Sequence, residues 1–143
     1  MKIKITKKGS KKLKAFYKKE WEIADREHYG KPIAWEKWSL KEFTLEAQEN
    51  DEIVGAVYFT ITADVAYIDM LIVTKSHREK GLGKLLVKKA EGVAKKNGAH
   101  KIYLQTGKGW DAVSFYESLG YRITGELPNH CFHKDYIELS KFI

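Results

Sequence analysis

The residues of this chain best placed to do chemistry are Arg78-Glu79-Lys80-Gly81-Leu82-Gly83-Lys84, a basic, glycine-rich run. It follows the apolar stretch Ala66 to Val73, which reads as a strand covered on both faces, and precedes Leu82 to Ala99, where Leu82, Leu85, Leu86, Ala90, Val93 and Ala94 recur at helical spacing. Two glycines at a strand-to-helix junction permit a tight turn in which several amide N–H groups and the positive end of the helix converge. Arg78, Lys80 and Lys84 add fixed positive charge, and Lys88 follows one turn later. The chemistry this suits is the holding of a polyphosphate; the plain alternative is a tight turn with solvated lysines. The run lacks the Gly-Lys-Ser/Thr ending of a nucleoside triphosphate loop and the third glycine of a dinucleotide fold, so neither of those phosphate sites is present.

The elements that must position this turn can be read on either side of it. A first strand is expected at Lys2–Thr6, where lysine and isoleucine alternate as on a protected edge, and a first helix from Ser10, as N-cap, to His28. Gly30 and Pro32 interrupt it, and Ile33–Leu40 suggests a short second helix. Strands are predicted at Phe43–Glu49, Ile53–Ile61, Ala66–Val73, Lys101–Thr106, Tyr121–Leu127 and Asp135–Phe142, with helices at Leu82–Ala99 and Asp111–Leu119. The order predicts an α/β protein with a mixed, mostly antiparallel sheet and helices on both faces. At 143 residues and 43% hydrophobic, the chain is expected to form a single domain over residues 1–143.

Val73-Thr-Lys-Ser-His-Arg78-Glu-Lys-Gly81-Leu-Gly83-Lys84 resembles the Arg/Gln-x-x-Gly-x-Gly/Ala signature with which the GNAT superfamily of N-acetyltransferases binds the pyrophosphate of acetyl-coenzyme A. Phe115-Tyr-Glu-Ser-Leu-Gly-Tyr121 is similar to the Phe-Tyr-Glu-Lys-Leu-Gly-Phe box of the same superfamily, and the ending from Gly125 resembles its last two strands. The resemblance implies the GNAT-type twisted sheet with splayed central strands. It also implies an acyltransferase moving an acetyl group from acetyl-CoA, as co-substrate and without a metal, to a primary amine by direct attack in a ternary complex.

Carried onto this sequence, the resemblance assigns cofactor contacts to Leu71, Ile72 and Val73, whose backbone would hold the pantetheine arm, and to Arg78, Glu79, Lys80, Gly81, Leu82, Gly83 and Lys84 around the phosphates. It makes Tyr116 the general acid for the leaving thiolate; on spacing alone, at helical intervals from Ala112 and Leu119, Tyr116 reads rather as a core residue. The glutamate that relatives place on the motif strand is Tyr67 here, and Asp69, two residues on, is the candidate base or else a structural partner of a lysine. An asparagine that many relatives carry before the tyrosine is replaced by Gly109, with Trp110 beside it. His130, Cys131 and His133 group possible metal ligands in one loop, but a structural zinc site needs four from two elements, so a loop with incidental histidines is the simpler reading, and the resemblance adds that the loop lies near where relatives admit the acceptor.

The net charge of +7 invites a nucleic-acid reading, yet seven of the 26 basic residues lie in residues 1–14, leaving 19 against 19 acids elsewhere. A lysine-guarded edge accounts for that excess, so nucleic acid is not the expected partner. One cysteine excludes an internal disulfide, no apolar run is long enough to span a bilayer, and nothing marks export, so a cytoplasmic location is expected. The resemblance makes Trp21, Tyr29, Trp35 and Trp38, with the acids among them, candidates for contacting a cationic acceptor, either a small amine or a protein amine; on residue type alone they read rather as core aromatics and a solvated helix face. A homodimer is allowed but nothing in the sequence requires one. The rival classes are an acyl-coenzyme A sensor that does not transfer and a basic-tailed nucleic-acid-binding protein.

Overall fold

The computed structural model describes residues 1–143, which divide into two compact units, 1–39 and 40–143. In the first unit, helix α1 spans Leu13–Tyr29 and a 3-10 turn spans Trp35–Trp38. Ser10 is not the N-cap: the residue at that place is Lys12, with helical angles and no side-chain cap, and Ser10 contributes only its carbonyl, to the Leu13 amide at 3.1 Å. Gly30 ends the helix with φ 73°, its amide donating to the Arg26 carbonyl, as a left-handed C-cap should. Residues 1–6 form no strand, contrary to the alternating pattern, and Ile3 and Ile5 are almost fully exposed. A strand needs a neighbour to take up its backbone groups, and these residues have none.

The second unit is a six-stranded sheet in the order β1-β2-β3-β4-β6-β5, where β1 is Lys41–Glu49, β2 Glu52–Thr62, β3 Val65–Val73, β4 Lys101–Gly107, β5 Arg122–Leu127 and β6 Tyr136–Phe142. Every pairing is antiparallel except β3 with β4. The first two hairpins turn on Asn50-Asp51 and Ala63-Asp64, all four with positive φ, the geometry of a two-residue mirror-image turn. Helix α2 (Leu82–Lys96) crosses from β3 to β4, and the short α3 (Asp111–Ser118) crosses from β4 to β5. No helix is long and apolar enough to cross a membrane.

Side chains alternate across each strand, so Val57, Phe59, Ile61, Ala66, Ile68, Ile102, Leu104, Ile137 and Leu139 share one face and are buried there. Against that face lie Leu86, Val87, Ala90 and Ala94 of α2 and Tyr116 of α3, in a single core. The small residues on α2 let the helix approach the sheet closely. Phe59 sits at the centre, wholly buried, with its ring stacked on Phe43 at 5.1 Å. A second anchor is polar: Lys141 on β6 donates to Glu91 of α2 at 3.0 Å and to the Leu119 carbonyl at the end of α3 at 2.9 Å.

Phe59→Ala removes the largest fully buried side chain and leaves a cavity beneath α2. The expected loss is about 3–5 kcal/mol, measured by urea unfolding, with an unchanged m-value.

Candidate functional site

Strands β3 and β4 pair only from Val65 with Lys101 to Ile68 with Leu104, and beyond that point they part. The cause is visible on the other edge of β3, where the register with β2 slips between Tyr58 and Phe59: Phe59 faces Ile68, Tyr58 faces Met70, and Asp69 is the extra residue. Such a bulge bends its strand and increases the twist, turning the second half of β3 away from β4. The Thr74 amide donates to the Val54 carbonyl at 2.9 Å, which fixes the phase of the ladder beyond the bulge. In an antiparallel pair, bonded and non-bonded positions alternate, so Ile72 directs its backbone groups to β2 while Leu71 and Val73 direct theirs into the gap. Of the three residues expected to offer backbone there, two do so, and Ile72 contributes its side chain to the cleft wall.

The α2 N-terminus closes the cleft. Gly81 occupies the N-cap position with φ 83° and carries no side chain that could cap the helix, and the first intrahelical bond runs from the Leu85 amide to the Gly81 carbonyl at 3.0 Å. The amides of Leu82, Gly83 and Lys84 are therefore left without partners, at the positive end of a 15-residue helix. Glu79 also adopts a left-handed conformation, φ 61°, uncommon for a residue with a side chain. Gly83 is needed for another reason: a Cβ there would meet the Phe115 ring at 3.3 Å, so α3 can lie close against the start of α2.

Together these features bound a cleft of about 640 Å³, lined by Leu71, Ile72, Val73, Arg78, Glu79, Gly81, Gly83 and Lys84, and by one side of α3. Arg78 is fixed by its own backbone contact, Nε donating to the Val73 carbonyl at 3.0 Å. The preceding turn is held by His77, whose Nδ1 lies 2.9 Å from Thr74 Oγ1 and whose Nε2 lies 2.7 Å from Glu49 Oε2 on β1. From sequence His77 reads as an ordinary turn residue, because nothing in its neighbourhood points to a partner 28 positions earlier. Lys80 and Leu82 do not line the cleft; Lys80 is exposed and Leu82 packs toward the core. Asp111, Ala112, Phe115, Ser118 and Leu119 do, and their three- and four-residue spacing was the available signal for a shared helix face.

Tyr116 is buried among Phe115 and Tyr121, whose rings lie edge-on at 5.0 and 5.3 Å, and its side chain is not part of the cleft wall. Thr62 Oγ1 is the one fully enclosed side-chain polar atom without a partner, so the Tyr116 hydroxyl, which bonds to nothing in the chain, is not sealed off. Burial pushes its phenol well above the ordinary range. Tyr121 is pushed up as well, by burial first and then by the Glu91 carboxylate that accepts its hydrogen bond at 3.2 Å.

Asp69, expected to be costly in an apolar strand, is exposed, and it has no ion pair with any lysine. The bulge frees it from the burial that the surrounding apolar residues suggested. It does face the same side as Tyr67: burial raises the Tyr67 phenol, and the Asp69 carboxylate adds to the rise. Tyr67 itself leans on Tyr103 at 4.8 Å across the paired part of β3 and β4. Trp110 lies edge-on to Tyr136 at 5.5 Å and occupies the space where a Cβ on Gly107 would stand, so it covers the end of β4 rather than the cleft. In the late loop His130 Nε2 is 3.2 Å from Gln105 Oε1, His133 Nδ1 is 3.1 Å from Asn129 Oδ1, and Cys131 is exposed. No three His, Cys, Asp or Glu side chains gather as metal ligands would.

Comparison with known proteins bears out the family resemblance read from the sequence. The profile of the acetyltransferase (GNAT) family matches residues 10–121, and the chain belongs to that family. A protein of Bacillus subtilis (strain 168) named as a candidate acetyltransferase is 36% identical over 75 residues, which is 51% of this chain and 48% of that protein. The chain thus matches about half the length of that curated relative. An acetyltransferase from Bacillus cereus ATCC 14579 has a similar structure, with a TM-score of 0.70 and 27% identity over 98% of both chains. A GNAT family acetyltransferase from Elizabethkingia anophelis, solved with acetyl-CoA bound, shares the fold at 22% identity over 70% of this chain and 75% of that one, with a TM-score of 0.66.

A raised phenol pKa has a definite consequence for alkaline stability. The unfolded chain ionises near the ordinary value of 10.0, so the contribution of Tyr116 and Tyr121 to folding is complete below that pH and is lost as pH rises through their higher folded values. Phenolate absorbance followed from pH 9 to 12 should show these two tyrosines ionising only as the fold is lost, and Tyr116→Phe should reduce that late step by about half.

Proposed function

We propose that this acetyltransferase-family chain moves an acetyl group from acetyl-CoA to a primary amine by direct attack, with residues 1–143 acting as one N-acetyltransferase domain in the cytoplasm. The observation that carries the reading is the single cleft holding two sets of free backbone groups, those of Leu71 with the Val73 amide on β3 and the amides of Leu82, Gly83 and Lys84 on α2. The donor supplies an activated acetyl thioester and a diphosphate. The fit is chemical: uncapped helix amides suit phosphate oxygens, and outward-facing strand groups suit the amides of an extended pantetheine arm. The acetyl-CoA bound to the Elizabethkingia anophelis neighbour supports the same choice of donor.

In this reading Gly81, Leu82, Gly83 and Lys84 receive the diphosphate with Arg78, Glu79 and Lys80 about it, while Leu71, Ile72 and Val73 align the arm. An outward-facing amide on β3 donates to the carbonyl oxygen as charge develops there, a stabilisation set in place before reaction. Tyr116 acts as general acid. Burial keeps its phenol protonated throughout the physiological range, so a proton is always available to the departing sulfur, and the high affinity of the phenol for that proton confines its donation to the moment when thiolate charge appears. Asp69, exposed beside the parting of the strands, is the base that relieves the ammonium of its proton, directly or through a water.

Release of free thiol from acetyl-CoA across a panel of amines tests the function; no release with any amine, together with no calorimetric heat for the donor, would sink it. Tyr116→Phe should lower kcat by about 10- to 1000-fold with donor affinity nearly unchanged, and full activity in that variant removes Tyr116 from the mechanism. In Asp69→Asn the acidic limb of the kcat/KM profile should shift or vanish, whereas a profile identical to the parent would assign deprotonation to another group.

A further inference from the structure

We propose that residues 1–39 carry a binding site for an organic ammonium ion, formed by the indoles of Trp21, Trp35 and Trp38 beside the Asp25 carboxylate. The three tryptophans by themselves line a cavity of about 310 Å³. Trp21 and Trp35 also border an adjoining cavity of about 650 Å³ whose wall includes Asp25. Each indole is 38–53% exposed, which is unusual for three large apolar rings facing one space in so small a unit. Trp38 is braced from behind by Tyr29, with ring centroids 6.3 Å apart.

Asp25 supplies the second, independent observation. Its residue exposure is 5%, and it is the one buried residue of the chain that carries a carboxylate. It accepts no hydrogen bond and joins no ion pair; in α1 the only pair is that of Glu22 with Arg26, at 3.3 Å. Because Thr62 Oγ1 is the sole enclosed polar atom lacking a partner, the Asp25 carboxylate is open to the cavity it borders. Lys14 and Lys18 border the same cavity, but neither comes within 4.0 Å of that carboxylate. A buried carboxylate without a counter-charge is unfavourable unless a cation completes the site. Three indoles lining one cavity favour an alkylammonium over a hydrated metal ion, since their attraction needs a weakly hydrated cation against an apolar surface.

This inference does not rest on the acyl-transfer reading, since residues 1–39 alone form the site. What the site selects is a molecule carrying an organic ammonium group, held among indoles and a carboxylate.

The test is a titration of the whole chain, in a Trp110→Phe background, with butane-1,4-diamine and with its uncharged counterpart butane-1,4-diol, without acetyl-CoA. Saturable quenching of tryptophan fluorescence by the diamine and none by the diol is expected. Asp25→Asn should weaken diamine binding at least tenfold while the Tm of the ligand-free protein holds or rises, because an uncompensated buried charge has been removed. Trp35→Leu should weaken binding severalfold, and Trp35→Phe should restore part of it. Absence of saturable quenching, equal quenching by the diol, or a fall in Tm for Asp25→Asn with diamine binding unchanged would overturn the site.

Discussion

The parting of β3 from β4 is the constraint on which the rest of the site depends. A sheet strand normally has no backbone groups to offer a ligand, because its neighbours on both sides take them. Here one residue, Asp69, is extra on β3, and the bend it introduces ends the pairing with β4 after Ile68 and Leu104. The cleft, its strand-like wall and the exposure of Asp69 itself all follow from that single inserted residue. The packing beside the cleft keeps the opening from collapsing, since Ile68, Leu104 and Leu139 are buried under the helices just where the strands separate.

The helix that closes the cleft is specified by two glycines with different tasks. Gly81 meets nothing within 4 Å and is required only for its left-handed backbone, whereas Gly83 has ordinary helical surroundings and is required because Phe115 lies against it. The first leaves three amides free, and the second brings α3 alongside them. His77 then ties the approach to this helix to β1, so the turn that begins it is braced from two strands, β3 through Arg78 and β1 through Glu49.

Much of this was legible in the sequence because the signals were local. The strand, the glycines and the basic residues from Ala66 to Lys84 lie in one continuous stretch, and every element from Lys41 onward falls within a few residues of its expected place. What failed was what depended on partners. Lys2–Thr6 alternates like an edge strand but pairs with nothing, and Ser10 yields the cap position to Lys12. Asp69 looked buried by the company it keeps, yet a register slip against β2 puts it in solvent; slips of that kind are set by cross-strand fit and leave no mark in a single strand. Likewise, the exposure of Tyr116 could not be told from its helical spacing, which suits the core and the cleft equally.

Lys141 gives the site a dependence on order of assembly. Its ammonium grips the last carbonyl of α3 and Glu91 on α2 from a strand that is threaded between β4 and β5, both of which precede it in the chain. Until β6 enters that slot, β4 and β5 have no common neighbour and the short helix carrying Tyr116 has no clamp at its C-terminal end. A chain that lacks this strand already holds Gly83 and the Phe115 ring that packs against it, but leaves the end of α3 unclamped. The start of one helix and the anchoring of the other are therefore completed at different moments of synthesis.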